Sequence, residues 1–198
     1  MHEHQGQHDE QGPKREVVRG VGPTVAEEEI ESRLRSLVGL KLSIARRAAD
    51  LRGFHFGHIR QLKRGTAGEY ALHIQCPWRL EGPSGIVTGR SDLWEPAAIV
   101  PDMDWENWDY EKGANLQDKE IGVLMGSYDP QTRSYVNDGD RLVVEAVRAD
   151  ACGGATIVLS GGYRLVLFPD RSRGEDWRIF RSGTDEPHLV IAGGKVEY

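Results

Sequence analysis

The chain has 198 residues, of which 25 are Lys or Arg and 31 are Asp or Glu, so its formal net charge is -6. This length suits one domain with a sizeable core, and the acidic balance disfavours attraction of the whole surface to nucleic acid or to an anionic membrane. No apolar run approaches the roughly 20 residues that a membrane helix needs, and the first residues lack the apolar stretch of a secretory signal.

The two cysteines, Cys76 and Cys152, are too few for a disulfide framework or for a zinc site of their own. We therefore expect a cytoplasmic protein with no membrane partner, no metal and no cofactor. Residues 1–22 are rich in Gln, His, Glu and Gly. Because such a segment buries too little apolar area to offset the entropy of ordering its backbone, it is predicted to be a disordered tail. Residues 23–198 are expected to form a single domain.

The first predicted element is an amphipathic helix. Thr24 and Glu27 have the spacing of a capping box, in which each side chain accepts a hydrogen bond from the other residue's backbone N–H. Apolar residues follow at helical intervals up to Gly39, which is a typical helix stop. These apolar residues are Ile30, Leu34, Leu37 and Val38.

The pattern then changes to the alternation that is typical of strands. Leu72, Ile74 and Cys76 occupy one face of a predicted strand, and His73 occupies the other. A second, shorter helix is predicted at 115–125. Further strands are predicted at 48–56, 86–93, 142–147, 155–159, 163–168, 177–180 and 189–192. About seven or eight short strands with one N-terminal helix favour an α+β fold with a mainly antiparallel sheet.

The segment 94–113 fits neither a helix nor a strand. It carries three of the five tryptophans and a dense set of acids, and loops longer than about 12–15 residues inside a domain are often functional. It is therefore the first candidate for a binding surface. The candidate partner-binding residues are Trp94, Asp102, Asp104, Trp105, Glu106, Trp108 and Asp109.

Charge is unevenly distributed along the chain. Residues 41–64 contain seven basic residues and one acid, whereas residues 91–120 contain nine acids and two lysines. One interpretation is a dipolar surface whose acidic, tryptophan-bearing side receives a basic protein partner, as anchored interfaces do. The other is that the two segments neutralise each other within the fold or are simply solvated.

No standard catalytic motif is present in the sequence. It contains no CxxC, no HExxH, no P-loop and no dinucleotide fingerprint. Asp102, Asp104 and Glu106 resemble the opening of a calcium loop, but Asn107 replaces the glycine at its sixth position and Gly113 replaces the bidentate Glu at its twelfth. The sequence assigns no catalytic residue, and an enzymatic role is not favoured.

Two alternatives to a protein-binding loop stay open. One is a small-molecule site, with or without catalysis, in a polar groove on the sheet, where predicted neighbouring strands bring together His73, Arg79, Arg90 and Asp92. The other is contact with nucleic acid through the basic segment 41–64, which is less favoured because aromatic residues are not interleaved there. Its candidate residues are Arg46, Arg47, Arg52, Arg60, Lys63 and Arg64.

Three sequence segments resemble those of known proteins. LHIQCPWRL at 72–80, GRSDLW at 89–94 and the closing EDWRIF followed by HLVIAGG resemble a group of small uncharacterised bacterial proteins. That group has no known activity, so the resemblance implies no catalytic residue. The chain is also similar to small α+β immunity proteins for bacterial toxins, which have a tryptophan near the C-terminus. The leading hypothesis is a non-enzymatic protein-binding module of the immunity type.

Overall fold

The computed structural model describes residues 24–63, 65–99, 101–110 and 114–197. The predicted tail at 1–22 therefore lies outside the described residues. Within them the chain forms two α-helices and fifteen strands, and every strand pairing is antiparallel. The predicted α+β class is confirmed, with about twice the expected number of strands.

The helices are α1 (Val25–Leu34) and α2 (Leu116–Met125), and two 3₁₀ turns cover Arg35–Leu37 and Arg90–Trp94. The strands are β1 (Leu42–Ala48), β2 (Leu51–Phe56), β3 (Arg60–Leu62), β4 (Gly65–Ala67), β5 (Tyr70–Ile74), β6 (Trp78–Gly82), β7 (Gly85–Gly89), β8 (Gly126–Asp129), β9 (Ser134–Asn137), β10 (Val144–Ala149), β11 (Ala155–Leu159), β12 (Tyr163–Leu167), β13 (Glu175–Arg181), β14 (Leu189–Ala192) and β15 (Lys195–Glu197). Neither ten-residue helix is long and apolar enough to cross a membrane.

The capping box that begins α1 is formed as predicted. The Glu27 N–H donates to the Thr24 hydroxyl at 3.2 Å, and the Thr24 N–H donates to the Glu27 carboxylate. Ile30 and Leu34 are buried against the core. Val38 was expected on the same apolar face, but it lies beyond the helix and is 46% exposed.

The strands form two main sheets and one separate hairpin. The large sheet has the order β15-β14-β13-β5-β2-β1-β9-β8, the small sheet has the order β10-β11-β12-β6-β7, and β3 pairs only with β4. Across the large sheet, the register aligns the apolar residues Ala45, Phe54, Leu72, Ile179 and Leu189. These residues form one buried cluster with the apolar side chains of the small sheet, so the core lies between the two sheets.

Two parts of the sequence pattern were misleading. The strand β1 was not predicted because Leu42, Ser43, Ile44 and Ala45 are all buried, so the strand shows no alternation of apolar and polar residues. The strand predicted at 86–93 ends at Gly89, because the Asp92 carboxylate accepts hydrogen bonds from the Gly89 N–H and the Thr88 hydroxyl and turns the chain into a 3₁₀ turn.

The second helix is confirmed at Leu116–Met125. Asn115 caps it, since its side-chain oxygen accepts the Asp118 N–H at 2.8 Å. This cap fixes the direction in which Gln117 and Asp118 leave the first turn. Both side chains reach the end of the large sheet, where the candidate site lies.

Candidate functional site

A polar cavity of about 440 Å³ lies where the β1–β2 hairpin, the first turn of α2 and the β8–β9 hairpin meet. We call it the arginine pocket. Its charged and phenolic lining residues are Arg46, Arg47, Arg52, Asp118, Tyr128, Arg133 and Tyr135.

Arg52 is the most deeply buried charge in the arginine pocket, with 1% of its surface exposed. Its Nε donates to Gln117 Oε1 at 3.0 Å, and its Nη2 donates to Asp118 Oδ1 at 2.8 Å and to Gln117. The Arg52 carbon Cζ lies 6.0 Å from the ring centroid of Trp78. Its Nη1 has no hydrogen-bond partner among the described residues. The guanidinium is therefore fixed in position and still has hydrogen-bonding capacity.

Arg47 shares the carboxylate of Asp118. Its Nε donates to Asp118 Oδ2 at 2.7 Å, and its Nη2 donates to the Tyr110 carbonyl at 3.3 Å. Burial alone would raise the pKa of Asp118, but the charge of Arg52 and hydrogen bonds from both arginines hold that pKa below its usual range. Asp118 therefore stays ionised and neutralises only one of its two arginine partners.

The remaining lining residues add positive charge and phenols. Arg133 has a φ of 52° in the β8–β9 turn, and no ion pair joins it to a carboxylate within the described part of the chain. The rings of Tyr128 and Tyr135 lie 5.0 Å apart between centroids. Burial and the Asp118 charge raise the pKa of Tyr135, so its hydroxyl keeps its proton at neutral pH. Four arginines, including Arg46, thus line a cavity that contains one carboxylate.

A second cavity, of about 330 Å³, lies on the face of the large sheet that points away from the core. We call it the histidine groove, because His55 and His73 both line it. Arg46 donates from Nε to His55 Nε2 at 2.9 Å and from Nη2 to the Thr66 carbonyl at 2.7 Å. Arg46, Arg47 and Ala48 line both cavities, so the two cavities meet at the end of β1.

The four residues predicted to share a groove do not converge. His73 lies on β5 of the large sheet and lines the histidine groove. Arg79 lies on β6 of the small sheet, where it pairs with Glu81 at 2.6 Å. Arg90 belongs to a 3₁₀ turn and pairs with Asp50 at 2.8 Å, while Asp92 caps the same turn. Of the four, His73 lines the histidine groove.

We call the segment 94–113 the acidic tryptophan loop, and two backbone hydrogen bonds close its base. The Ala97 N–H donates to the Ala114 carbonyl at 2.7 Å, and the Leu116 N–H donates to the Glu95 carbonyl at 2.7 Å. Trp94 is 48% exposed, although its ring contacts Tyr110 with centroids 4.5 Å apart. Trp105 is 54% exposed, as a partner-binding residue needs to be.

The acids of this loop differ in their surroundings. Asp102, Asp104 and Glu106 are exposed, whereas Trp108 and Asp109 are partly buried. The Asp104 carboxylate accepts hydrogen bonds from Asn107 and so belongs to a local turn.

The basic segment does not form one exposed surface. Arg47 and Arg52 form ion pairs with Asp118 of the segment 91–120. The basic and acidic segments therefore partly neutralise each other within the fold. Arg60 pairs with Glu69 at 3.4 Å. Lys63 is exposed, and Arg64 lies outside the described residues. Only part of the segment is therefore available to a nucleic acid.

The described residues hold no group of three or more His, Cys, Asp or Glu side chains that suits a metal ion. Burial and the charge of Asp176 raise the pKa of the Cys76 thiol to about 12, so this thiol is a poor nucleophile.

Comparison with known proteins does not identify a family for this chain. The chain matches no protein-family model, no curated protein and no solved structure. The resemblance drawn from its motifs therefore stays a prediction, and function has to be argued from the cavities.

Replacing Asp118 by Asn tests how far the arginine pocket depends on this carboxylate. We expect Asp118→Asn to lower the free energy of unfolding by about 3 kcal/mol, because it leaves the Arg52 guanidinium buried without a counter-charge. Chemical denaturation measures the change. The matched control is Glu120→Gln on the same helix, which is expected to change stability by less than about 0.5 kcal/mol. Equal effects of the two variants would contradict a special role for Asp118.

The buried imidazole of His55 predicts a pH dependence of stability. Burial and the charge of Arg46 lower the pKa of His55 from 6.5 to about 3. Between about pH 6.5 and about pH 3, His55 binds a proton in the unfolded chain but not in the native state. The free energy of unfolding therefore decreases as the pH falls. When the pH falls from about 7 to about 5, the free energy of unfolding of the wild type should decrease by about 2 kcal/mol more than that of His55→Gln. His58→Gln, at an exposed histidine, should behave like the wild type in the same denaturation series.

Proposed function

We propose that the protein binds a small oxyanion, carried by a phosphate or carboxylate compound, in the arginine pocket. The observation that carries this proposal is the excess of positive charge there, because four arginines line a cavity that holds one carboxylate. A planar guanidinium donates parallel hydrogen bonds to phosphate or carboxylate oxygens, and such charge-assisted bonds are stronger than neutral ones.

The pocket is organised before a ligand arrives. Arg52 and Arg47 are held by Gln117 and Asp118, so binding does not have to immobilise these two long side chains. Preorganisation of this kind lowers the entropic cost of binding. Arg133 is exposed and can close on the ligand from the β8–β9 turn. The volume of about 440 Å³ lies in the usual range for small-molecule sites.

Titration with inorganic phosphate tests this proposal. We expect saturable binding in calorimetry that weakens as the chloride concentration rises, because the interaction is electrostatic. Arg133→Gln should weaken binding about tenfold, since it removes a charge-assisted contact without breaking an ion pair seen in the fold.

The matched control is Arg148→Gln, at an exposed arginine on β10. It should leave phosphate affinity unchanged. Equal weakening by Arg133→Gln and Arg148→Gln would mean that phosphate responds only to net charge, and it would contradict a specific site.

A second candidate function is the docking of a basic protein partner on the acidic tryptophan loop, as in an immunity-type module. It is favoured by the half-exposed side chain of Trp105 and by the exposed side chains of Asp102 and Glu106, which are close to it in the sequence. Native mass spectrometry of the protein purified from its host lysate at low salt should then show a stoichiometric protein partner. Trp105→Ala should lose that partner and Ile86→Ala, at an exposed apolar residue elsewhere, should keep it. Retention by both variants would contradict docking on the loop.

A further inference from the structure

We propose that the histidine groove is a second binding site, which receives a flat, uncharged heteroaromatic ring with a hydrogen-bonding edge. This site lies on the outer face of the large sheet and goes beyond the anion site of the arginine pocket. The proposal rests on the shape of the floor, on the arrangement of the rings and on a buried hydroxyl without a partner.

The floor of the groove includes Gly53, which has no side chain. A Cβ atom built on Gly53 would lie 3.6 Å from both the Arg46 Cγ and the His73 Cδ2. These are ordinary van der Waals distances, so the two side chains lie close on either side of Gly53. The groove is therefore narrow at Gly53, where a larger side chain would obstruct it.

The groove walls present flat and apolar surfaces. The rings of His73 and Phe180 meet edge to face with centroids 5.0 Å apart, and those of His55 and His73 lie 6.3 Å apart. Leu62 and Ala67 of the β3–β4 hairpin also line the groove. Aromatic rings prefer offset or edge-on contacts of this kind, so such walls favour a planar ring over a saturated one.

The hydroxyl of Ser182 supplies the polar contact. Ser182 lines the groove with only 5% of its surface exposed, and its Oγ has no hydrogen-bond partner among the described residues. A buried hydroxyl without a partner is costly, and a ligand that supplies one relieves that cost. Since a hydroxyl both donates and accepts, it suits the mixed edge of a heteroaromatic ring.

The charge of the groove excludes a cationic ligand. Arg46 and Arg47 both line it, and no carboxylate does within the described residues. The imidazoles of His55 and His73 are both neutral at neutral pH, because burial lowers the pKa of each. They can therefore stack against a neutral ring without repelling it.

Adenine is the probe for this site, with cyclohexanol as a saturated, non-planar control. In carbon-detected NMR of the full chain, adenine should produce saturable shifts of the His73 and His55 ring resonances, whereas cyclohexanol should not. Gly53→Val should abolish the adenine shift, because its methyl groups fill the floor; Gly53 has no positive φ, and β-branched residues suit a strand.

A second variant keeps the test decisive if Gly53→Val does not fold. Ser182→Ala removes a hydroxyl that makes no hydrogen bond in the described structure, and it should weaken adenine binding about fivefold. Arg133→Gln should leave adenine binding unchanged, which separates this site from the arginine pocket. Absence of a saturable shift at His73, equal binding of cyclohexanol, or unchanged adenine affinity in Ser182→Ala would each overturn the proposal.

Discussion

A guanidinium group cannot lose its charge under ordinary conditions, so an arginine that is fully buried has to be paired. Arg52 imposes this requirement at the end of the large sheet, and the first turn of α2 meets it with Gln117 and Asp118. Gln117 also donates from Nε2 to the Gly89 carbonyl at 2.9 Å, where the 3₁₀ turn begins. One buried charge thereby fixes the helix, the hairpin and the turn relative to one another.

The arginine pocket follows from the way this requirement is met. Asp118 is shared by two arginines, so the pairing that stabilises the fold leaves a surplus of positive charge in the cavity. The Tyr110 carbonyl accepts from Arg47 and so attaches the end of the acidic loop to the same network. A ligand in the pocket and a protein on the loop would therefore act on neighbouring parts of one structure.

Local patterns in the sequence predicted the local structure well. The capping box at Thr24, the helix after Asn115 and the alternation around His73 depend on residues close together in the chain, and the structure confirms all three. The alternation rule failed for β1, because the first residues of this strand are buried on both faces. It also placed Arg90 in a strand, whereas the Asp92 carboxylate turns the chain at this point.

The arginine pocket could not be predicted in the same way. Arg52 and Asp118 are 66 positions apart in the chain, and Arg133 comes from another hairpin. The available signal was the presence of Arg46, Arg47 and Arg52 among apolar strand residues, since charges in such positions have to be paired or functional. The opposite charges of the basic and acidic segments indicated that they might meet, but not which residues would pair.

The most direct test of the arginine pocket is a crystal structure from crystals soaked in selenate, a tetrahedral oxyanion whose selenium gives an anomalous signal. We expect an anomalous peak between the guanidinium groups of Arg133 and Arg47, with selenate oxygens within hydrogen-bonding distance of Arg133. A peak only at exposed arginines outside the cavity, such as Arg148, or no peak at all, would contradict the assignment of this pocket as an anion site.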